Sequence, residues 1–175
     1  ITQGVPVQIT VSSGAFGTAA TPIGPGGDFG LEDTGSGPGA SAFFTLFPTA
    51  EGTFSVRVSS DTNLAIGTYT VEVEPAPTLS PGGLVSGTIS QDDNDFDLES
   101  DGDIFTVLFD EFALTSLVPD QPYTISASSS DFDTLIEVLD TNFNQIALND
   151  NISDDSSNSS LTFTPEEGVD YILQI

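Results

Sequence analysis

The stretch DDNDFDLESDGD, residues 92–103, sets six Asp, one Glu and one Asn in front of the apolar run IFTVLF at 104–109. The chemistry this invites is the binding of a hard cation. Calcium takes about six to eight oxygens from carboxylates, amides and carbonyls, usually on loops. Two groups of residues offer them. One is Asp92, Asp93, Asn94, Asp95, Asp97, Asp101 and Asp103; the other is Asp131, Asp133, Asp150, Asn151, Asp154 and Asp155. The spacing of Asp97, Asp101, Gly102 and Asp103 imitates an EF-hand loop. It lacks the closing Glu, and no helical periodicity flanks it, so an EF-hand is rejected. The competing reading is that these aspartates are turn residues on solvated faces of a chain that is acidic throughout. On an alternating strand Asp101 and Asp103 share one face and Ile104 takes the other, which suits both readings.

Other chemistry is poorly supplied. There is no His and no Cys, so neither a Ser-His-Asp nor a Cys-His site can be built. The single cation is Arg57, which leaves no lysine nucleophile. Asp33-Thr34-Gly35 matches the D-T-G element of an aspartic protease, but it occurs once, in a Gly/Ser-rich stretch. A carboxylate pair for glycoside hydrolysis would lack sugar-stacking platforms, with no Trp and three Tyr. The expectation is a protein without catalytic activity.

A net charge of −26, from 27 acidic and one basic residue, points the same way. Nucleic acid is held through Lys and Arg, and anionic membranes repel such a chain, so neither is an expected partner. Divalent cations are. Self-repulsion keeps the chain soluble but opposes compaction, and the fold is expected to need salt or bound divalent ions. No apolar run reaches the roughly 20 residues of a membrane span, and membrane insertion is not expected. Without a Met or a leader, the sequence reads as a mature or internal piece of something longer. The scarcity of Lys and Arg fits a secreted protein in salty or protease-rich surroundings, or a lineage with an acidic proteome.

The elements that must position these residues are strands. Turn signals recur at SSG (12–14), PGG (25–27), GSGPG (35–39), EG (51–52), PGG (81–83) and EEG (166–168). Between them lie short runs of period-two alternation, at 5–11, 53–58, 68–73, 104–109, 123–127, 135–139, 160–163 and 171–175, the pattern of an antiparallel β-sandwich. Residues 109–117 fit either a turn of helix or a strand with a loop. Arg57, between Val56 and Val58, falls on the outward face of its strand. The Pro/Gly-rich segment 77–83 reads as a semi-rigid linker. The expected fold is therefore all-β: two tandem antiparallel, jelly-roll-like sandwiches, 1–76 and 84–175.

The two halves are related. PVQITVSSGAFGT (6–18) aligns without gaps on PYTISASSSDFDT (122–134). FGLED (29–33) answers IALND (146–150), and FTLFPTAEGTFSVRV (44–58) answers LTFTPEEGVDYILQI (161–175). The array is out of phase with its ends. The first copy has no counterpart of 83–116, and the second has none of GTYTVEV (67–73). The first is expected to lack its N-terminal strands, the second its C-terminal strand.

These residues resemble a family. G-x-I appears at Gly87-Thr88-Ile89, and D-x-D-x-F-x-V at 101–107, counted from Asp101 and Asp103. D-x-D-x-x-I-x-V-L-D begins at Asp131 and Asp133, an A-L-N-D turn ends at Asp150, and an aromatic-ended strand follows Gly168. The chain is similar to the bacterial pre-peptidase C-terminal domain, a β-sandwich of secreted proteins. The likeness covers most of 84–175 and is thinner over 1–76, where Gly17 stands in the place of Asp133 and Gly14 and Ala15 replace Ser130 and Asp131. What it implies is a non-catalytic accessory module. It also makes Asp101, Asp103, Asp131 and Asp133 the foremost calcium candidates, with Asp95, Asp97 and Asp150 behind them. Two functions are expected: an adhesive or structural module at the cell surface or outside the cell, whose copies complement one another's missing strands in a fibre or array, or a calcium-stabilised, matrix-binding accessory domain of a secreted hydrolase.

Overall fold

Residues that alternate apolar and polar at a period of two bury one side of an extended strand, and this chain folds almost wholly by that rule. The computed structural model describes all residues except 29–31, 36, 49, 63, 91–93, 101, 102 and 154. Of residue 28, 94–100 and 103–106 it describes the backbone but not the side chains. Among the described residues there is no helix, and the pairing is antiparallel throughout with one short exception. The fold is all-β. Two compact units divide at Ala76 and Pro77.

The first unit, Ile1–Ala76, contains β1 (Val7–Ser12), β2 (Thr18–Gly24), β3 (Gly27–Asp28), β4 (Asp33–Thr34), β5 (Ser41–Leu46), β6 (Ser55–Ser60) and β7 (Thr70–Pro75). One sheet runs β5-β1-β7. The other is centred on β2, with β6 along one side and the short β3 and β4 along the other. Ile9 and Val11 of β1, Ala42, Phe44 and Leu46 of β5 and Ala20 of β2 form one buried cluster, with Val56 and Val58 of β6 against it. Both sheets therefore feed a single core, the packing of a β-sandwich. Strand β2, TAATPIG, has no apolar alternation because it is enclosed from Thr18 to Pro22. Its Pro22 lies in the gap between β3, which pairs Ile23 and Gly24, and β4, which pairs Ala19 and Ala20. A proline is tolerated where a ladder is interrupted.

The second unit, Pro77–Ile175, contains β8 (Thr78–Leu79), β9 (Asn94–Ser100), β10 (Asp103–Phe109), β11 (Glu111–Leu114), β12 (Tyr123–Ala127), β13 (Ile136–Asp140), β14 (Gln145–Asn149), β15 (Ser159–Phe163) and β16 (Tyr171–Gln174). A five-stranded sheet runs β14-β13-β16-β11-β8, β12 pairs β15, and β9 and β10 form a hairpin. Phe112, Leu114, Ile136, Val138, Tyr171 and Leu173 of the large sheet pack with Leu161 and Phe163 of β15. The Tyr171 ring meets Phe163 edge-on at 5.4 Å, and its hydroxyl accepts the Glu166 N–H at 2.8 Å.

Two details differ from the sequence reading, and a third decides between its two alternatives. Thr78 and Leu79, inside the expected linker, pair in parallel with Ala113 and Leu114 and so join the large sheet. The acidic stretch is not only a lead-in: 94–100 is itself a strand, with Leu98 in register with Phe105 and Phe96 with Val107. Finally, 109–117 holds strand β11, buried at each of its four positions between β16 and β8, a setting that favours extended backbone over a helical turn.

The β13–β14 turn is organised by Asp140. Its carboxylate accepts the Asn142 N–H at 2.8 Å, the Asn144 N–H at 2.9 Å and the Asn144 side-chain amide at 2.8 Å. The Asn144 side chain does most to hold this carboxyl below its ordinary range; burial opposes it, and the backbone N–H groups of Asn144 and Asn142 add to the lowering. A depressed folded value means the stabilisation is present above the unfolded Asp value of about 3.9 and is lost as pH falls through the folded value. Glu137, two strands into the sheet, is shifted the other way, raised by burial. It opposes folding once pH rises past the unfolded Glu value of about 4.3. We expect Asp140→Ala to lower Tm at pH 7 by about 2–4 °C and Glu137→Gln to raise it. Both differences should shrink toward zero below about pH 4. Melting each variant from pH 7 to pH 3 checks this; differences independent of pH would contradict it.

Candidate functional site

The two units carry the same pairing. In the first, Val7 lies opposite Leu46, Ile9 opposite Phe44 and Val11 opposite Ala42. In the second, Tyr123 lies opposite Phe163, Ile125 opposite Leu161 and Ala127 opposite Ser159. Likewise Thr21 faces Arg57 and Pro22 faces Val56, as Glu137 faces Gln174 and Val138 faces Leu173. One buried threonine ties each unit in the same way. Thr18 Oγ1 donates to the Val11 carbonyl at 2.7 Å and accepts the Ala42 N–H at 3.1 Å. Thr134 Oγ1 lies 3.4 Å from the Ala127 carbonyl and 3.0 Å from Ser159 Oγ.

A third correspondence corrects the sequence alignment by one residue. The Asp33 carboxylate accepts the Phe43 N–H at 2.7 Å, and the Asn149 side-chain carbonyl accepts the Ser160 N–H at 2.9 Å. Asp33 faces Ala20 as Asn149 faces Ile136. Asp33 thus answers Asn149, not Asp150. The D-T-G element holds a strand junction, and an amide holds the same junction in the second unit.

Against this shared frame the sheet edges differ. In the first unit β1 is flanked by β5 and β7; among the described residues its counterpart β12 pairs only with β15. In the second unit β16 is flanked by β13 and β11; among the described residues its counterpart β6 pairs only with β2. Burial follows the edges. β16 is buried along its length, whereas β6 alternates exposed and half-buried. Ile9 and Val11 are 2% and 0% exposed, while Ile125 and Ala127 are only half-buried. Beside β12 lies a cleft of about 450 Å³, lined by Phe112, Ile125, Ala127, Phe132 and the 83–89 segment. Phe132 and Leu84, which border it, are exposed.

Strand β11 shows what an occupied edge looks like. Glu111 lies opposite Gln174, whose side-chain amide donates to its carboxylate at 2.9 Å. Both residues are buried. Phe112 and Leu114 alternate with Glu111 and reach the core. Sequence reading passed over Glu111, Glu137 and Gln174. Only the register reveals them, because it sets the three in one row across β11, β16 and β13.

The expected calcium ligands lie partly outside the described residues. Asp101 is outside the described residues. Asp95, Asp97 and Asp103 sit in the β9–β10 hairpin in register with Leu108, Thr106 and Ser100, and their side chains are outside the description. Asp131, Asp133 and Asp150 are exposed. Asp131 accepts from the Ser130 hydroxyl at 3.1 Å, and Asp150 offers its backbone carbonyl to Ser159 at 2.7 Å. Among the described residues no group of three His, Cys, Asp or Glu side chains converges. Nor is any helix there long and apolar enough to cross a membrane. The chain matches no protein-family model, no curated protein and no solved structure.

Proposed function

We propose that the chain is a non-catalytic structural or adhesive module of an extracellular or cell-surface protein, built from two pre-peptidase C-terminal-like sandwiches that join further copies by strand addition. One observation carries this reading: among the described residues, each unit pairs a strand that the other leaves unpaired. There β7 pairs with β1 while β12 pairs only with β15, and β11 pairs with β16 while β6 pairs only with β2. An unpaired edge is a template for another strand, and addition to it supplies main-chain hydrogen bonds for affinity and side-chain pockets for specificity. The two edges differ, so a contact between them is head-to-tail and propagates into an array instead of closing as a symmetric dimer.

Charge sets the conditions. Two chains of −26 repel, and the repulsion is screened over about 3 Å at 1 M salt, against about 30 Å at 0.01 M. In sedimentation velocity at about 1 M NaCl, the weight-average mass should rise with protein concentration. A peptide of residues 68–76, which contains β7, should cap the growing species at the β12 edge. A monomer at every concentration and salt level, unmoved by the peptide, would contradict the reading.

A further inference from the structure

Resting on the extracellular reading above, we infer that Asn151 is a glycan acceptor, modified on its side-chain amide nitrogen by a transferase that acts on the folded chain. The sequence carries the acceptor pattern Asn-x-Ser/Thr at Asn151-Ile152-Ser153 and at Asn158-Ser159-Ser160. Such a triplet takes a glycan where it stands on the surface and can enter the enzyme. The fold opens one of the two and closes the other.

Asn158-Ser159-Ser160 runs into β15. Ser159 is wholly buried, and its hydroxyl donates to the Asp150 carbonyl at 2.7 Å. Ser160, whose hydroxyl the pattern requires, is already engaged. Its hydroxyl pairs with Ser126 Oγ at 2.8 Å, and its N–H donates to the Asn149 side-chain carbonyl at 2.9 Å. Leu161 and Phe163 of the same strand belong to the core, so freeing this triplet means opening the unit, a far rarer event than the opening of a loop.

Asn151-Ile152-Ser153 lies in the connection from β14 to β15, outside both strands. Ile152 is 59% exposed, Ser153 is exposed and Asn151 half-buried. The ties on this triplet fall on its main chain. The Asn151 carbonyl accepts from the Asn149 side-chain amide at 3.1 Å. The Ile152 N–H donates to the Asn158 carbonyl at 2.8 Å, and the Ser153 carbonyl accepts the Ser156 N–H at 2.9 Å. None of these bonds takes up the Asn151 amide or the Ser153 hydroxyl. The loop is thus held in place while the two groups that the transfer uses point to no fixed partner in it. The donor is a polyprenyl-diphosphate oligosaccharide. The Asn151 Nδ2 bonds to the anomeric carbon as the carbon–oxygen bond to the diphosphate breaks. The lipid diphosphate leaves with the electron pair, and the amide gives one proton to the transferase. A glycan here also hydrates apolar surface, since Leu148 and Ile152 on either side of Asn151 are 47% and 59% exposed.

The test incubates the folded 175-residue chain with an oligosaccharyltransferase and such a donor, and reads intact mass and the modified peptide. A peptide of residues 148–164, which carries both triplets without the fold, serves as the control. The expected result is one glycan on the folded chain, at Asn151, against two on the peptide. Asn151→Gln and Ser153→Ala should abolish the glycan on the folded chain, while Ser153→Thr and Asn158→Gln should keep it. A folded chain left unmodified while the peptide is glycosylated, or one modified at Asn158, would overturn the site. Neither outcome bears on location: recovery of the native protein only from the cell interior would overturn the extracellular reading instead.

Discussion

Replacing Gly17 by the residue its counterpart carries, Gly17→Asp, should destabilise the first unit by about 3 kcal/mol or more. The reverse change, Asp133→Gly, should fall within about 0.5 kcal/mol of neutral. The two positions answer each other in sequence, yet their surroundings are opposed. A Cβ on Gly17 would collide with the Gly35 carbonyl, the Gly37 nitrogen and the Asp61 carboxylate. Two of these are backbone atoms that cannot swing aside. They are fixed by a network: the Asp61 N–H donates to the Gly17 carbonyl at 2.8 Å, and the Gly37 N–H donates to the Asp61 carboxylate at 3.0 Å. In the first unit, then, a carboxylate from the end of β6 fills the space, and the local backbone has to be glycine. Asp133 stands exposed with no such constraint. Chemical denaturation of both variants decides the point. Equal destabilisation, or a tolerated Gly17→Asp, would show that the loop gives way.

The second large effect concerns the threonine shared by the two units. Thr18 is wholly buried and bridges β1 to β5 through the Val11 carbonyl and the Ala42 N–H. Thr18→Val keeps the shape and strands both backbone groups, at a cost of about 1–3 kcal/mol each for buried, unsatisfied atoms. That corresponds to a Tm drop of at least about 4–8 °C for a unit of this size. Thr134→Val should cost less, because Ser159 at the Ala42-equivalent place carries its own hydroxyl. That hydroxyl bonds the Thr134 and Asp150 carbonyls. Combining Thr134→Val with Ser159→Ala should therefore exceed the sum of the two single changes. Strict additivity would mean that the two hydroxyls act independently.

These contrasts show what the sequence discloses and what it withholds. Alternation located β1, β6, β7, β10, β12 and β16 to within two residues, because each has a solvent face or ends at a clear turn signal. It missed β2, whose small residues and Pro22 are enclosed, and β9, whose carboxylates mask the alternation of Phe96 and Leu98. The correspondence of the halves was legible, since the residues that repeat are those whose side chains meet across the core. The one-residue error at Asp33 arose because Asp and Asn can accept the same backbone N–H. The edges themselves were only indirectly legible. Which strands lack a neighbour depends on pairings distant in sequence, such as β7 on β1, and no local pattern encodes them. The role of Glu111 was invisible for the same reason: its partner Gln174 comes from the far end of the unit.

On the strand-addition proposal, β6 and β12 are the receiving edges. Hydrogen exchange compared between dilute monomer and concentrated, high-salt assembly tests it most directly, because an added strand protects the amides that it bonds. Protection gained on assembly should be confined to Ser55–Ser60 and Tyr123–Ala127 and to the strands that donate to them, while β16 and β1, already flanked, are protected in both states. Assembly that protects neither segment, or no assembly at all, would contradict it.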